Sequence, residues 1–195
     1  LGRAFLIAVF LISFILVSQF NSIVKPIIIL SSVVMSTAGV FYGLVTFQMA
    51  FGLMAFLGLI SLAGVVVNNA IVLIDYVDIL RDRDGFDLRS ALVQAGKVRF
   101  RPVILTAITT TLGLVPLAVG FNFDFITLVN NPLEFFTHLG EYIYWGGEQA
   151  AWWGPMAIAV IVGLLFSTFL TLILVPVLYS VIERGKQSMQ HLFFG

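Results

Sequence analysis

Five long apolar stretches dominate the pattern of hydrophobic and polar positions along the chain. They occupy approximately residues 4–20, 24–45, 51–79, 101–120 and 152–182, and the charged residues cluster between them. A helix needs about 20 apolar residues to cross a hydrocarbon core of roughly 30 Å. The pattern therefore predicts five transmembrane helices and an all-α integral membrane fold.

The connections between the predicted spans differ in character. Residues 87–98 combine a candidate N-cap, Asp87, with apolar residues at helical spacing, which predicts a short amphipathic helix on the cytoplasmic surface. Residues 121–151 are rich in aromatic side chains, which favour the headgroup level on the outer side of a membrane. We expect a transmembrane segment over residues 1–186 and a cytoplasmic tail over residues 187–195.

Composition supports a membrane protein and excludes several other classes. Hydrophobic residues make up 60% of the chain, charged residues 10%, and the mean hydropathy is +1.08, so a soluble domain of this length could not cover itself with polar surface. The formal net charge is zero, which gives no electrostatic basis for binding nucleic acid. The chain has no cysteine, and we expect no cofactor and no metal site.

Basic residues indicate the orientation, because cytoplasmic loops of membrane proteins carry an excess of Lys and Arg. Most of them lie in or beside the connection between the third and fourth spans or after the fifth span: Arg81, Arg83, Arg89, Lys97, Arg99, Arg101, Arg184 and Lys186. The connection over residues 121–151 has four acidic residues and neither Lys nor Arg. This distribution predicts a cytoplasmic C-terminus.

A few polar residues inside the predicted spans are candidates for function. Asn68 and Asp75 lie seven residues apart on the third span, so they share one stripe and are separated by about 10.5 Å along the axis. Arg99 and Thr106 have the same separation on the fourth span. If these helices are antiparallel, Arg99 lies level with Asp75, and Thr106 lies level with Asn68. We therefore hypothesise an Arg99–Asp75 pair beside a polar layer that includes Asn69.

The alternative is that Asn68, Asn69 and Thr106 only hold helices together, each hydrogen bond contributing about 0.6 to 2 kcal/mol. The residues by themselves leave both interpretations open. Small residues at three-residue steps predict that the third span is surrounded by other helices: Gly52, Ala55, Gly58, Ser61 and Gly64.

Four motifs, in this order and spacing, resemble the C-terminal membrane segment of a resistance-nodulation-cell division (RND) efflux transporter. They are "QFNSIVKPIIIL", "GVVVNNAIVLIDY" followed by "RDRDG", "RFRPVILTAITTTLGLVPLAVG", and "WWGPMAIAVIVGLLFSTFLTLILVPVLY". The resemblance implies that the five spans are the last five of a twelve-helix bundle in the bacterial inner membrane. It also implies an N-terminal half of the same transporter, a homotrimer, a periplasmic adaptor and an outer-membrane channel as partners.

The resemblance also implies roles for individual residues. Arg99 and Thr106 match an Arg and a Thr of the family's proton-coupling layer, since the family's Arg also stands three residues before a proline and seven before the Thr. Asn68 stands where drug-exporting members have a Lys, and the pair Asn68–Asn69 resembles the family's aspartate pair with both acids changed to amides. Asp75 completes the set of coupling candidates.

Two functions follow as expectations. The first is the C-terminal membrane portion of a secondary active efflux pump that couples proton movement to export of small molecules. The second is a truncated RND-like membrane scaffold or accessory subunit without transport activity. We do not expect an enzyme, because no nucleophile stands beside a general base.

Overall fold

The computed structural model describes residues 2–123, 125–130 and 143–194. These residues form six helices and one two-stranded hairpin: α1 (Gly2–Phe20), α2 (Val24–Thr46), α3 (Leu53–Asp82), α4 (Leu88–Val119), β1 (Phe121–Phe123), α5 (Phe125–Asn130), β2 (Ile143–Trp145) and α6 (Glu148–Phe194). All of them except α5 and the strands are long and apolar enough to cross a membrane. The prediction of an all-α membrane fold with five spanning helices is confirmed.

Helix α6 is the centre of the bundle, because it packs against α2, α3 and α4. Helix α3 contacts α2, α4 and α6, whereas α1 packs mainly on α2 and leaves most of its apolar surface exposed. The core has two layers of buried aliphatic side chains, one near the α3–α4 connection and one toward the other end of the bundle. Such burial is typical of a helix bundle with one open side.

Helices α2 and α6 approach each other closely at glycines. A Cβ atom added at Gly39 would lie 2.7 Å from Cβ of Phe166, and one added at Gly43 would lie 2.7 Å from Cβ of Val162. Carbon atoms in contact prefer a separation of about 3.5–4.0 Å, so no side chain fits at either position without moving a helix. Gly39 and Gly43 form a GxxxG pair, the spacing that lets two membrane helices meet backbone to backbone.

Helix α4 differs from the expected arrangement, since it is one continuous helix instead of a surface helix over 87–98 followed by a separate span. Ala91 and Ala95 are fully buried in the core and hold the first turns in line with the rest of the helix. Asp87 is at the N-cap position, as expected, and a hydrogen bond with Ser90 lowers the pKa of its carboxyl. Pro102 lies inside the helix and does not end it.

Two other boundaries differ from the sequence-based expectation. Residues 187–194, expected as a tail, continue helix α6. The described part of the connection over 121–151 contains β1, α5 and β2, with Phe121 opposite Trp145 in an antiparallel hairpin. Gly120 ends α4 with a φ of 69°, a left-handed conformation that glycine adopts without strain. The Asn122 amide then donates to the Gly120 and Gly146 carbonyl oxygens and closes the hairpin.

Candidate functional site

One face of α3 is exposed, whereas its other faces pack against α2, α4 and α6. Toward its ends this face carries the exposed apolar residues Leu53, Leu57 and Ile79, and its middle part is polar or small. We call it the α3 stripe, and it consists of Ser61, Gly64, Asn68 and Asp75, all of them exposed in this chain. Their spacing of three, four and seven residues keeps them on one side of the helix. Ala55 and Gly58, which precede them, are buried instead. Steps of three residues wind around a helix, so the run of small residues passes from the buried face to the open one.

The two amides lie at the middle of this face. Asn68 is exposed and Asn69 is half-buried, and within the described residues neither side chain has a hydrogen-bond partner. An amide without a partner is costly in hydrocarbon. Gly64, one turn before Asn68, has open space where a Cβ would be. The centre of the α3 stripe is therefore shaped for close contact with something other than the helices described.

The hypothesised Arg99–Asp75 pair does not form in the structure. Carbon Cζ of Arg99 lies instead 4.8 Å from the centre of the Tyr76 ring, a cation–π distance. Asp75 and Tyr76 are adjacent, and a helix turns about 100° per residue, so Tyr76 faces α4 while Asp75 belongs to the α3 stripe. Arg99 thus lies at the level of Asp75 along α3 but on the neighbouring face.

The guanidinium of Arg99 has an unused donor. Its Nε atom is buried and has no hydrogen-bond acceptor in the part of the chain that the structure describes. Thr106 is exposed on the same helix, and its hydroxyl donates to the carbonyl oxygen of Pro102 at 2.9 Å. This bond within one turn satisfies the hydroxyl locally. Thr106 and Asn68 are therefore not joined by a hydrogen bond.

A second polar group, which sequence reasoning missed, ties α2, α3 and α6 together where α3 ends. We call it the α3-end network. Lys25 Nζ lies 2.6 Å from Asp78 Oδ2, and the Tyr179 hydroxyl donates to Asp78 Oδ1 at 3.0 Å. Arg81 Nη1 donates to the Tyr179 hydroxyl at 3.3 Å and to Glu183 Oε1 at 3.1 Å. The five side chains line a cavity of about 380 Å³.

The α3-end network and the α3 stripe lie on adjoining faces of the same helix. Asp78 follows Asp75 by three residues, which rotates it by about 60°, and its carboxylate contacts Lys25 of α2 and Tyr179 of α6. The charges of the network compensate each other within the chain, whereas Asp75 has no ion-pair partner among the described residues. The sequence indicated this network only through charged residues near the ends of three spans. It could not show which of them pair, because the partners lie far apart in the chain.

Among residues 2–123, 125–130 and 143–194, no three His, Cys, Asp or Glu side chains are grouped as metal ligands.

Comparison with known proteins gives a consistent set of relatives. The AcrB/AcrD/AcrF family model matches residues 2–122. The swarming motility protein SwrC of Bacillus subtilis (strain 168) is 36% identical over 188 residues, which cover 96% of this chain and 16% of SwrC. The multidrug resistance protein MdtC of Erwinia tasmaniensis is 30% identical over 168 residues, which cover 86% of this chain and 14% of MdtC.

A solved structure shows the same arrangement of helices. The crystal structure of a heavy metal efflux pump superimposes with a TM-score of 0.69 and 29% sequence identity, over 90% of this chain and 14% of the pump. A second crystal form of such a pump gives a TM-score of 0.63 over 82% of this chain. The present chain thus spans about one seventh to one sixth of the length of the curated relatives that it matches.

Proposed function

Because this chain belongs to the AcrB/AcrD/AcrF family of RND efflux transporters, we propose that it is the C-terminal membrane portion of a proton-coupled efflux pump. In this proposal its spanning helices are the last five of twelve. The pump exports small molecules from a bacterial inner membrane, and the C-terminus of the chain is cytoplasmic. The basic residues near the α3–α4 connection and after the fifth span support that orientation.

The observation that carries the proposal is the exposed polar α3 stripe on a helix whose other faces pack against α2, α4 and α6. Asn68 and Asp75 are exposed in this chain, and each is expensive to place against acyl chains. Gly64 leaves room for a backbone to come close. These features fit a protein neighbour that covers the stripe, and the N-terminal half of the same transporter is the partner that the family provides.

In this proposal the candidate residues have different roles in proton coupling. Arg99 supplies a permanent positive charge that has no ion-pair partner among the described residues, and a carboxylate of the N-terminal half is the group that takes up and releases the proton. Asn68 and Asn69 keep the shape of a polar layer without adding charge, and Thr106 lines the same side of α4. Without a Lys at position 68, Arg99 is the cation that offsets repulsion between neighbouring carboxylates.

The partners follow from the family and belong to the proposal. We expect a homotrimer that works with a periplasmic adaptor and an outer-membrane channel. A five-helix scaffold or accessory subunit without transport activity is the alternative, and the comparisons do not favour it. The two functions differ in one simple respect: only the pump requires the charge of Arg99 for export.

The experiment is proton-driven export by the complete protein carrying Arg99→Ala, with Arg101→Ala as the matched control. Arg101 lies two residues along the same helix and is exposed, so its loss tests the general effect of removing a basic residue there. We expect Arg99→Ala to abolish export with membrane expression intact, and Arg101→Ala to retain most of it. Undiminished export in Arg99→Ala would refute the coupling role.

A further inference from the structure

The ring of Tyr76 lies against the Arg99 guanidinium. The ring centre lies 4.8 Å from Arg99 Cζ, and within the described residues the guanidinium makes neither an ion pair nor a hydrogen bond. The ring is half-buried and packs against the core cluster near the α3–α4 connection. A ring held by its neighbours gives the guanidinium a fixed surface on which to rest.

The ring differs from a carboxylate in what it does to the cation. An aromatic face attracts a guanidinium through its quadrupole, and the attraction grows when water is excluded. It carries no net charge, so the positive charge of Arg99 is not neutralised. An Arg99–Asp75 pair would orient the guanidinium but would also cancel the charge that the coupling step needs.

We propose that Tyr76 is the positioning residue for Arg99 and holds its charge beside the α3 stripe without neutralising it. In this position the guanidinium stays charged and has no ion pair among the described residues, so its charge is available to a carboxylate that approaches from the neighbouring half of the bundle. The inference rests on the proposed function of Arg99 in proton coupling. Tyr76 itself neither binds the proton nor touches the transported molecule.

The test varies the ring electrostatics at position 76 while keeping its shape. In the complete protein, Tyr76→Phe keeps the ring, Tyr76→Leu removes it, and phenylalanines with one, two and three fluorine atoms at position 76 weaken its quadrupole stepwise. A matched series at Tyr42, whose exposed ring on α2 has no cation above it among the described residues, controls for general effects of fluorination.

Two readouts are measured on every variant: the rate of proton-driven export, and the temperature at which the protein unfolds in detergent. We expect Tyr76→Phe to stay within about threefold of the parent and Tyr76→Leu to lose about tenfold or more of the export rate, because a desolvated cation–π contact contributes a corresponding free energy. The fluorinated series should lower export and unfolding temperature stepwise at position 76 and leave both unchanged at position 42.

The outcomes separate this inference from the proposed function. If Arg99→Ala abolishes export but the fluorinated rings at position 76 export like Tyr76→Phe, proton coupling stands and the positioning role of Tyr76 is wrong. If unfolding temperature falls with fluorination while export does not depend on Arg99, the contact exists, the proposed function fails, and the positioning role falls with it. A stepwise fall in both readouts supports both.

Discussion

The contact between α2 and α6 allows a quantitative test of the fold. At Gly43, an added Cβ would lie 2.7 Å from Cβ of Val162 and 3.0 Å from each of its γ carbons. Val162 is β-branched, and its Cβ is fixed to the backbone, so rotation of the side chain cannot relieve the contact. The substitution Gly43→Ala must therefore push the two helices apart.

The size of the effect follows from the distances. Reaching a carbon–carbon separation of about 3.5 Å requires a local shift of about 0.8 Å, and overpacking of this kind costs about 1–3 kcal/mol. Alanine also favours the helix over glycine by about 1 kcal/mol, which offsets part of the cost. Gly96→Ala is the control, because Gly96 is also inside a helix and has nothing within 4 Å of an added Cβ.

The assay compares the midpoint of SDS-induced loss of helicity for the complete protein in mixed micelles. We expect Gly43→Ala to be less stable than Gly96→Ala by about 1–3 kcal/mol, since the helix-propensity gain is common to both. The double variant Gly43→Ala, Val162→Gly should recover much of the loss, because it removes the Cβ and γ carbons of Val162 that the new Cβ at position 43 would contact. Equal stability of Gly43→Ala and Gly96→Ala would refute the close approach of α2 and α6.

Three further predictions concern the α3-end network, the α3 stripe and the start of α4. Asp78→Ala should cost about 1–3 kcal/mol because Lys25 loses its partner, and adding Lys25→Ala should cost little more in the same SDS assay; additive losses would contradict the pairing. Gly64→Leu should insert into the membrane normally but abolish export, because it fills the space that the proposed neighbour needs; normal export would argue against contact there. Ser90→Ala should raise the pKa of Asp87 in an NMR titration, because the hydrogen bond from Ser90 lowers that pKa in the folded protein. The ionised Asp87 carboxylate therefore stabilises the folded protein above the ordinary carboxyl pKa, and this stabilisation is lost as pH falls through the lowered value.

The sequence predicted the spanning helices well and their ends less well. The spans could be read because each stretch must hide its backbone polar groups in a helix wherever lipid surrounds it. The same argument could not predict that α4 is one continuous helix. Residues 87–98 have a composition that suits either a surface helix or the start of a longer one, and the burial of Ala91 and Ala95 in the core decided between them.

The candidate site shows a similar division. The sequence placed Asn68 and Asp75 on one stripe and Arg99 level with Asp75, because helical periodicity sets the first relation and antiparallel packing of neighbouring spans sets the second. It could not choose between Asp75 and Tyr76 as the neighbour of Arg99, since adjacent residues differ by about 100° in direction and only the packing of α4 on α3 sets the angle. It also did not pair Lys25 with Asp78, which lie 53 residues apart in the chain.

The amino-acid sequence by itself determined that this chain is an integral membrane protein, how many of its helices cross the membrane, and which polar residues each helix carries. These properties depend on local hydropathy and on the geometry of a single helix. The tertiary structure decided which faces meet: glycines of α2 against α6, Tyr76 beneath Arg99, and an α3 stripe left open. Those contacts depend on the relative rotation of helices far apart in the chain, and hydrophobicity inside a bilayer does not set that rotation because lipid and protein neighbours are equally apolar.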